Sequence, residues 1–170
     1  MNEQQSLLIY DISPEQVKAL LPDQSGYKII DANASAAFCR GCFGCWLKTP
    51  GCCVIKDSLQ TIATQIGCCK EVIILSRCCY GGFSPGVKRV LDRAIAVSLP
   101  FFTYRGGRVH HICRYKNHPT LRICFYGVQS NFECDTAIRL AEANRINQGF
   151  SAVEIFFAAD AEHIREVMRL

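Results

Sequence analysis

The sequence predicts an α/β protein built as a three-layer sandwich: five parallel strands in the order 2-1-3-4-5, with helices on both faces. Three observations lead there. Five short apolar runs alternate along the chain with five stretches of helical periodicity, the pattern of β–α crossovers around a parallel sheet. Glu71–Ser76 is apolar at successive inner positions, as a strand covered on both faces is. Ser13-Pro14 and Ser84-Pro85 each set a capping hydroxyl before a proline at the first helical position, which marks helix starts behind strands.

In chain order, Ser6–Tyr10 reads as the first strand, and a helix opens at Ser13-Pro14-Glu15-Gln16 with Gln16 at the capping-box position. Pro22 and Gly26 bracket a turn into the second strand, Tyr27–Asp31, and a cysteine-rich loop follows. Asp57-Ser58 opens a helix to about Ile66, with Leu59, Ile62, Ala63 and Ile66 on one face. Behind the central strand Glu71–Ser76, the loop Arg77–Phe83 leads to a helix whose stripe is Val87, Val90, Leu91, Ala94 and Val97. Residues 100–120 read as an irregular insertion or lid within a single domain, 1–170. Leu121–Tyr126 is the fourth strand, Cys134–Gln148 a helix, Ala152–Phe157 the fifth strand and Asp160–Arg169 the last helix. Ligands of such a sheet sit beyond the C-terminal strand ends, at the switch point between the first and third strands. The cysteine loop and the Ser76–Phe83 loop both leave that edge.

Of 170 residues, 49% are hydrophobic and 20% charged, with a net charge of +4. That charge is too small to argue for nucleic acid. No apolar run reaches 18 residues, so no membrane-spanning helix is expected, and the polar start Met-Asn-Glu-Gln-Gln lacks the pattern of a signal peptide. A cytoplasmic location is expected. The 12 cysteines then belong to a reducing compartment, and Cys113 and Cys124, set among large apolar residues, read as core. Between Tyr104 and Arg122 lie Arg105, Arg108, Arg114, Lys116 and three histidines with no acid. That segment is either a solvated or subunit-facing loop or a surface for a phosphate-bearing nucleotide. The histidines form no catalytic constellation with a nucleophile.

Cys39, Cys42 and Cys45 are spaced Cys-x2-Cys-x2-Cys, and Cys52-Cys53 follow a Pro-Gly turn. Three readings stay open for them: an iron–sulfur site, a zinc site, or thiols beside a redox cofactor.

Two stretches carry a resemblance. Cys39-x-x-Cys42-Phe-Gly-Cys45-Trp46, then Thr49-Pro50-Gly51 and Cys53-Val-Ile-Lys-Asp57, is one; Tyr80-Gly81-Gly82-Phe83-Ser84-Pro85 with Leu91-Asp92-Arg93 is the other. Together they resemble the flavodoxin-like superfamily, in its NADPH-dependent FMN reductase and iron–sulfur flavoprotein-like branch. The resemblance implies an FMN-dependent oxidoreductase, moving electrons from NAD(P)H to a small-molecule or protein acceptor, as a homodimer or homotetramer with Pro100–Pro119 at the interface. It implies flavin contacts at Ser76, Tyr80, Gly81, Gly82 and Phe83, and a [4Fe–4S] set of Cys39, Cys42, Cys45 and Cys53. The chain departs from this family after the first strand. Where FMN binders carry a Ser/Gly/Arg/Asn-rich phosphate loop, only Asp11-Ile12-Ser13 precedes the helix, leaving Ser13 as the phosphate candidate with Asp11 and Glu15 opposing it. The alternative function is a flavin-free domain serving oligomerisation, partner binding, or thiol or metal sensing.

Overall fold

A computed structural model describes residues 5–170; the polar start of the chain, residues 1–4, lies outside them. Five parallel strands form one sheet: β1 (Ser6–Tyr10), β2 (Tyr27–Asp31), β3 (Glu71–Arg77), β6 (Thr120–Tyr126) and β7 (Val153–Ala158). Their order is β2-β1-β3-β6-β7, which is the expected 2-1-3-4-5 once two strands of a separate hairpin are set aside. In-register pairing of Leu8 with Ile29 and Ile73, and of Ile74 with Ile123, stacks branched side chains across the sheet centre.

Alternation along each strand divides the core in two. Leu7, Ile9, Val72, Ile74, Ile123 and Phe125 face α3 (Ile62–Cys68), α4 (Pro85–Arg93) and α5 (Asn131–Gln148). Leu8, Tyr10, Ile73, Leu75 and Cys124 face α1 (Pro14–Leu20) and α6 (Ile164–Val167). A short helix, α2 (Gly44–Leu47), lies inside the cysteine loop. Among the described residues no helix is long and apolar enough to cross a membrane.

Four boundaries differ from expectation. The segment after Pro100 is not irregular: β4 (Ser98–Arg105) and β5 (Arg108–Cys113) pair antiparallel around Gly106-Gly107, both in the left-handed region. Apolar residues at 101, 102, 104, 109 and 112 fall on both faces of this ribbon, so no period of two marked it. Helix α3 starts at Ile62 rather than at Asp57-Ser58; the Asp57 carboxylate accepts the Leu59 amide in a local turn and shares itself with Arg93 and the Ala37 amide. Val97 is buried but sits in a 3₁₀ turn, Ile95–Val97, beyond the end of α4. The last helix shrinks to Ile164–Val167, since Asp160 accepts the Glu162 and His163 amides in a turn of its own.

Candidate functional site

Beyond the C-terminal ends of β1, β3 and β6 the chain places a carboxylate. Asp11, the residue after β1, accepts the Arg77 N–H through both oxygens at 3.0 and 3.2 Å, and the Tyr126 hydroxyl at 3.0 Å. Burial, and then that carboxylate, push the Tyr126 phenol above its usual range. Next in sequence, the capping box at α1 closes on itself: Ser13 N–H donates to Gln16 Oε1 at 2.9 Å, and Gln16 N–H to Ser13 Oγ at 3.2 Å.

The Arg77–Ser84 loop is tighter than a ligand loop need be. Cys79 and Gly82 exchange N–H···O bonds of 2.9 Å around Tyr80-Gly81, and both central residues have positive φ, 54° and 78°. This is a two-residue hairpin of the I′ kind, which ordinarily takes Asn or Gly at both places. Gly81 is required twice over. A Cβ there would also lie 2.5 Å from the Thr136 Cβ on α5. Tyr80 has no such reason: it holds a left-handed conformation while its side chain is 93% exposed.

The other predicted contacts divide. Ser76 is fully buried, accepting the Ser84 amide at 3.0 Å and donating to the Arg77 carbonyl, so its hydroxyl ties the loop down. Phe83 is buried against Phe125, with ring centroids 5.1 Å apart. Of the five residues expected at the ring, Tyr80 alone presents a side chain outward; Gly81 is buried under α5, and the Gly82 N–H and carbonyl are both paired with Cys79.

The cysteine loop is braced from α4. The guanidinium of Arg93, fully buried, forks onto both Asp57 oxygens at 2.7 and 2.8 Å and reaches the Ala37 and Ile55 carbonyls. That ion pair holds the Asp57 carboxyl at about 2, well below its usual value. One turn earlier, Arg89 donates to the carbonyls of Ala32, Ala34 and Ala36. Gly86 lets α4 approach: a Cβ there would sit 2.6 Å from the Ala32 oxygen. Arg93 of the second motif therefore clamps Asp57 of the first, a role that spacing alone did not disclose.

All twelve cysteines are free thiols. Cys45 is buried with Cys53, Cys39 and Cys42 as neighbours, and burial first, then Cys53, pushes its thiol up. Cys39 and Cys42 are exposed and Cys53 half-buried. Among the described residues no three His, Cys, Asp or Glu side chains are arranged to hold a metal ion. Of the set expected to hold a cluster, Cys45 is buried at the start of α2, Cys53 is half-buried, and Cys39 and Cys42 stand in solvent around left-handed Gly41 and Phe43. Phe43 stacks on Trp46 at 4.9 Å, Trp46 meets His111 at 5.2 Å, and His111 meets Phe102 at 4.6 Å. This file of four rings joins the loop to the β4–β5 hairpin.

No family model matches the chain, and no curated protein matches it. Solved structures match in shape. An NAD(P)H:quinone oxidoreductase from Methanothermobacter marburgensis superposes with TM-score 0.57 at 11% identity, covering 96% of this chain and 92% of that one. An FMN-dependent NADH-azoreductase from Bacillus anthracis, in complex with FMN, gives 0.53 at 13% identity, covering 93% and 89%. The general stress protein 14 from Treponema denticola, also with FMN, gives 0.54 at 9%, covering 95% and 90%.

The fold is flavodoxin-like. The resemblance read from the two motifs thus holds at the level of architecture, where identities this low carry weight. In a flavodoxin-like sheet FMN lies at the β1/β3 switch point, and helix N-termini attract phosphate. This chain does not fit FMN's phosphate in that place, since the Asp11 carboxylate and the closed Ser13–Gln16 box occupy the donors. Ser13, the phosphate candidate, is spent on its own helix.

Proposed function

We propose that this flavodoxin-like chain is an oxidoreductase that takes electrons from NAD(P)H and passes them to a small-molecule or protein acceptor, seating a flavin ring against the Cys79–Gly82 turn. The observation that supports this reading is Tyr80. An exposed aromatic side chain gains nothing from a left-handed backbone, and strain kept at a ligand edge of the fold points to a task there. A phenol ring offers a flat, amphipathic face on which a ring system can stack. When bound, a flavin supplies the hydride and electron chemistry. The chain's own part is to hold the turn rigid through Ser76 and Gly81 and to present the Tyr80 ring at its tip. FMN, the flavin the resemblance implies, would have to be held by its ring rather than by its phosphate. The reduced thiols fit a cytoplasmic setting, and the apolar β4–β5 ribbon fits a homodimer or homotetramer.

A second reading, a flavin-free domain serving partner binding or thiol chemistry, is favoured by the self-closed turn at α1. The two separate in one measurement. Purified protein incubated with FMN and with riboflavin should retain flavin bands after desalting and should then oxidise NAD(P)H. Retention of neither flavin at saturating concentration sinks the oxidoreductase reading and leaves the flavin-free one.

A further inference from the structure

We infer that the edge site selects against the 5′-phosphate, taking riboflavin in preference to FMN; this rests on the flavin reading above. Three N–H groups around the first turn of α1 already have an acceptor within the chain. Ser13 N–H donates to Gln16 Oε1, Gln16 N–H to Ser13 Oγ, and Val17 N–H to the Ser13 carbonyl. Pro14 has no N–H to give. An oxyanion arriving there would find a single N–H, that of Glu15, and two resident acids, Glu15 in the turn and Asp11 beside it.

Asp11 goes further than blocking. Its oxygens receive the Arg77 amide and the Tyr126 hydroxyl, so the strand-end donors that could grip a phosphate are turned onto a carboxylate the protein brings itself. A carboxylate offers about four lone-pair sites, and one more donor can join it. The terminal ribityl hydroxyl of riboflavin is such a donor. A phosphate dianion is not, and it meets a like charge. The nearby cation is the Arg77 side chain, which is exposed and leaves Asp11 to its amide.

The test is a pair of titrations read by quenching of flavin fluorescence, with riboflavin and with FMN, at low and high salt. Riboflavin should bind at least tenfold more tightly at low salt, and the gap should narrow as salt screens the repulsion. In Asp11→Asn, with folding checked by circular dichroism, FMN should gain on riboflavin by a similar factor. FMN binding as tightly as riboflavin, with the loss of FMN binding in Arg77→Ala, would overturn the inference while leaving the flavin reading intact. An unchanged preference in folded Asp11→Asn, or one indifferent to salt, would overturn the role of Asp11. Quenching of neither flavin would remove the flavin reading and this inference with it.

Discussion

Replacing Tyr80 by asparagine should make the protein more stable and its ligand edge worse. Left-handed φ costs an ordinary L-residue roughly 1–2 kcal/mol, and asparagine visits that region routinely. The tyrosine side chain is 93% exposed, so almost no burial is lost in exchange. The expected gain is therefore about 1 kcal/mol. With a urea m-value of about 2 kcal/mol/M, the unfolding midpoint rises by roughly 0.5 M at unchanged slope. Flavin affinity, read by fluorescence quenching on the same sample, should weaken by roughly five- to tenfold, the loss of one stacked ring at about 1–1.5 kcal/mol. Stability that falls on substitution would mean that Tyr80 packs on something and that no strain is stored there. Stability that rises with flavin binding unchanged would leave the strain real but the stacking role refuted.

Four other consequences are open to measurement. Asp57→Asn should destabilise by about 2 kcal/mol near neutral pH, because its folded value of about 2 lies below the ordinary 3.8. That contribution is complete above pH 3.8 and vanishes as pH falls toward 2, so a wild-type minus mutant difference constant across that range would contradict the ion pair. Gly81→Ala should cost roughly 2–4 kcal/mol by chemical denaturation, from left-handed backbone plus overlap with Thr136; a loss under 1 kcal/mol would argue that the turn relaxes. Maleimide at pH 8 should modify the exposed Cys39, Cys42 and Cys68 first, whereas Cys69 and Cys124, pushed by burial to about 11 and about 12, should stay unmodified until unfolding. Mass mapping of early Cys124 adducts would refute that. Phe101→Ser with Phe102→Ser should lower the subunit count by light scattering, since both rings are more than 60% exposed on the ribbon; an unchanged mass would free the hairpin from any role in assembly.

The sheet was legible because its signals are local. Strands such as Glu71–Ser76 need apolar runs, and the Ser-Pro pairs at 13–14 and 84–85 cap helices wherever they occur. The hairpin was hidden for the opposite reason: both its faces meet solvent, so apolar residues follow no period, and Gly106-Gly107 was the one turn signal available. Asp57 misled the reading of α3 because its carboxylate turns only the Leu59 amide locally and is shared with an arginine 36 residues away. At the site, spacing brought Cys39, Cys42, Cys45 and Cys53 into one neighbourhood, but direction depends on φ at Gly41 and Phe43, which no spacing encodes. The oddity of Tyr80 was legible in principle. Tyr-Gly-Gly between a strand and a Ser-Pro helix start sets an aromatic residue where a I′ turn ordinarily takes Asn or Gly.

The file of rings Phe43–Trp46–His111–Phe102 has a practical consequence. Trp46 is the chain's single tryptophan, and it is wedged between the cysteine loop and the hairpin. Its indole N–H has no partner in that wedge. Intrinsic emission from this protein is thus a one-position optical signal, requiring no label. Any event that parts the hairpin from the loop, such as ligand entry, thiol oxidation or subunit exchange, would wet the indole and move its spectrum to the red, and an event confined to the far face of the sheet would leave it dark to the observer.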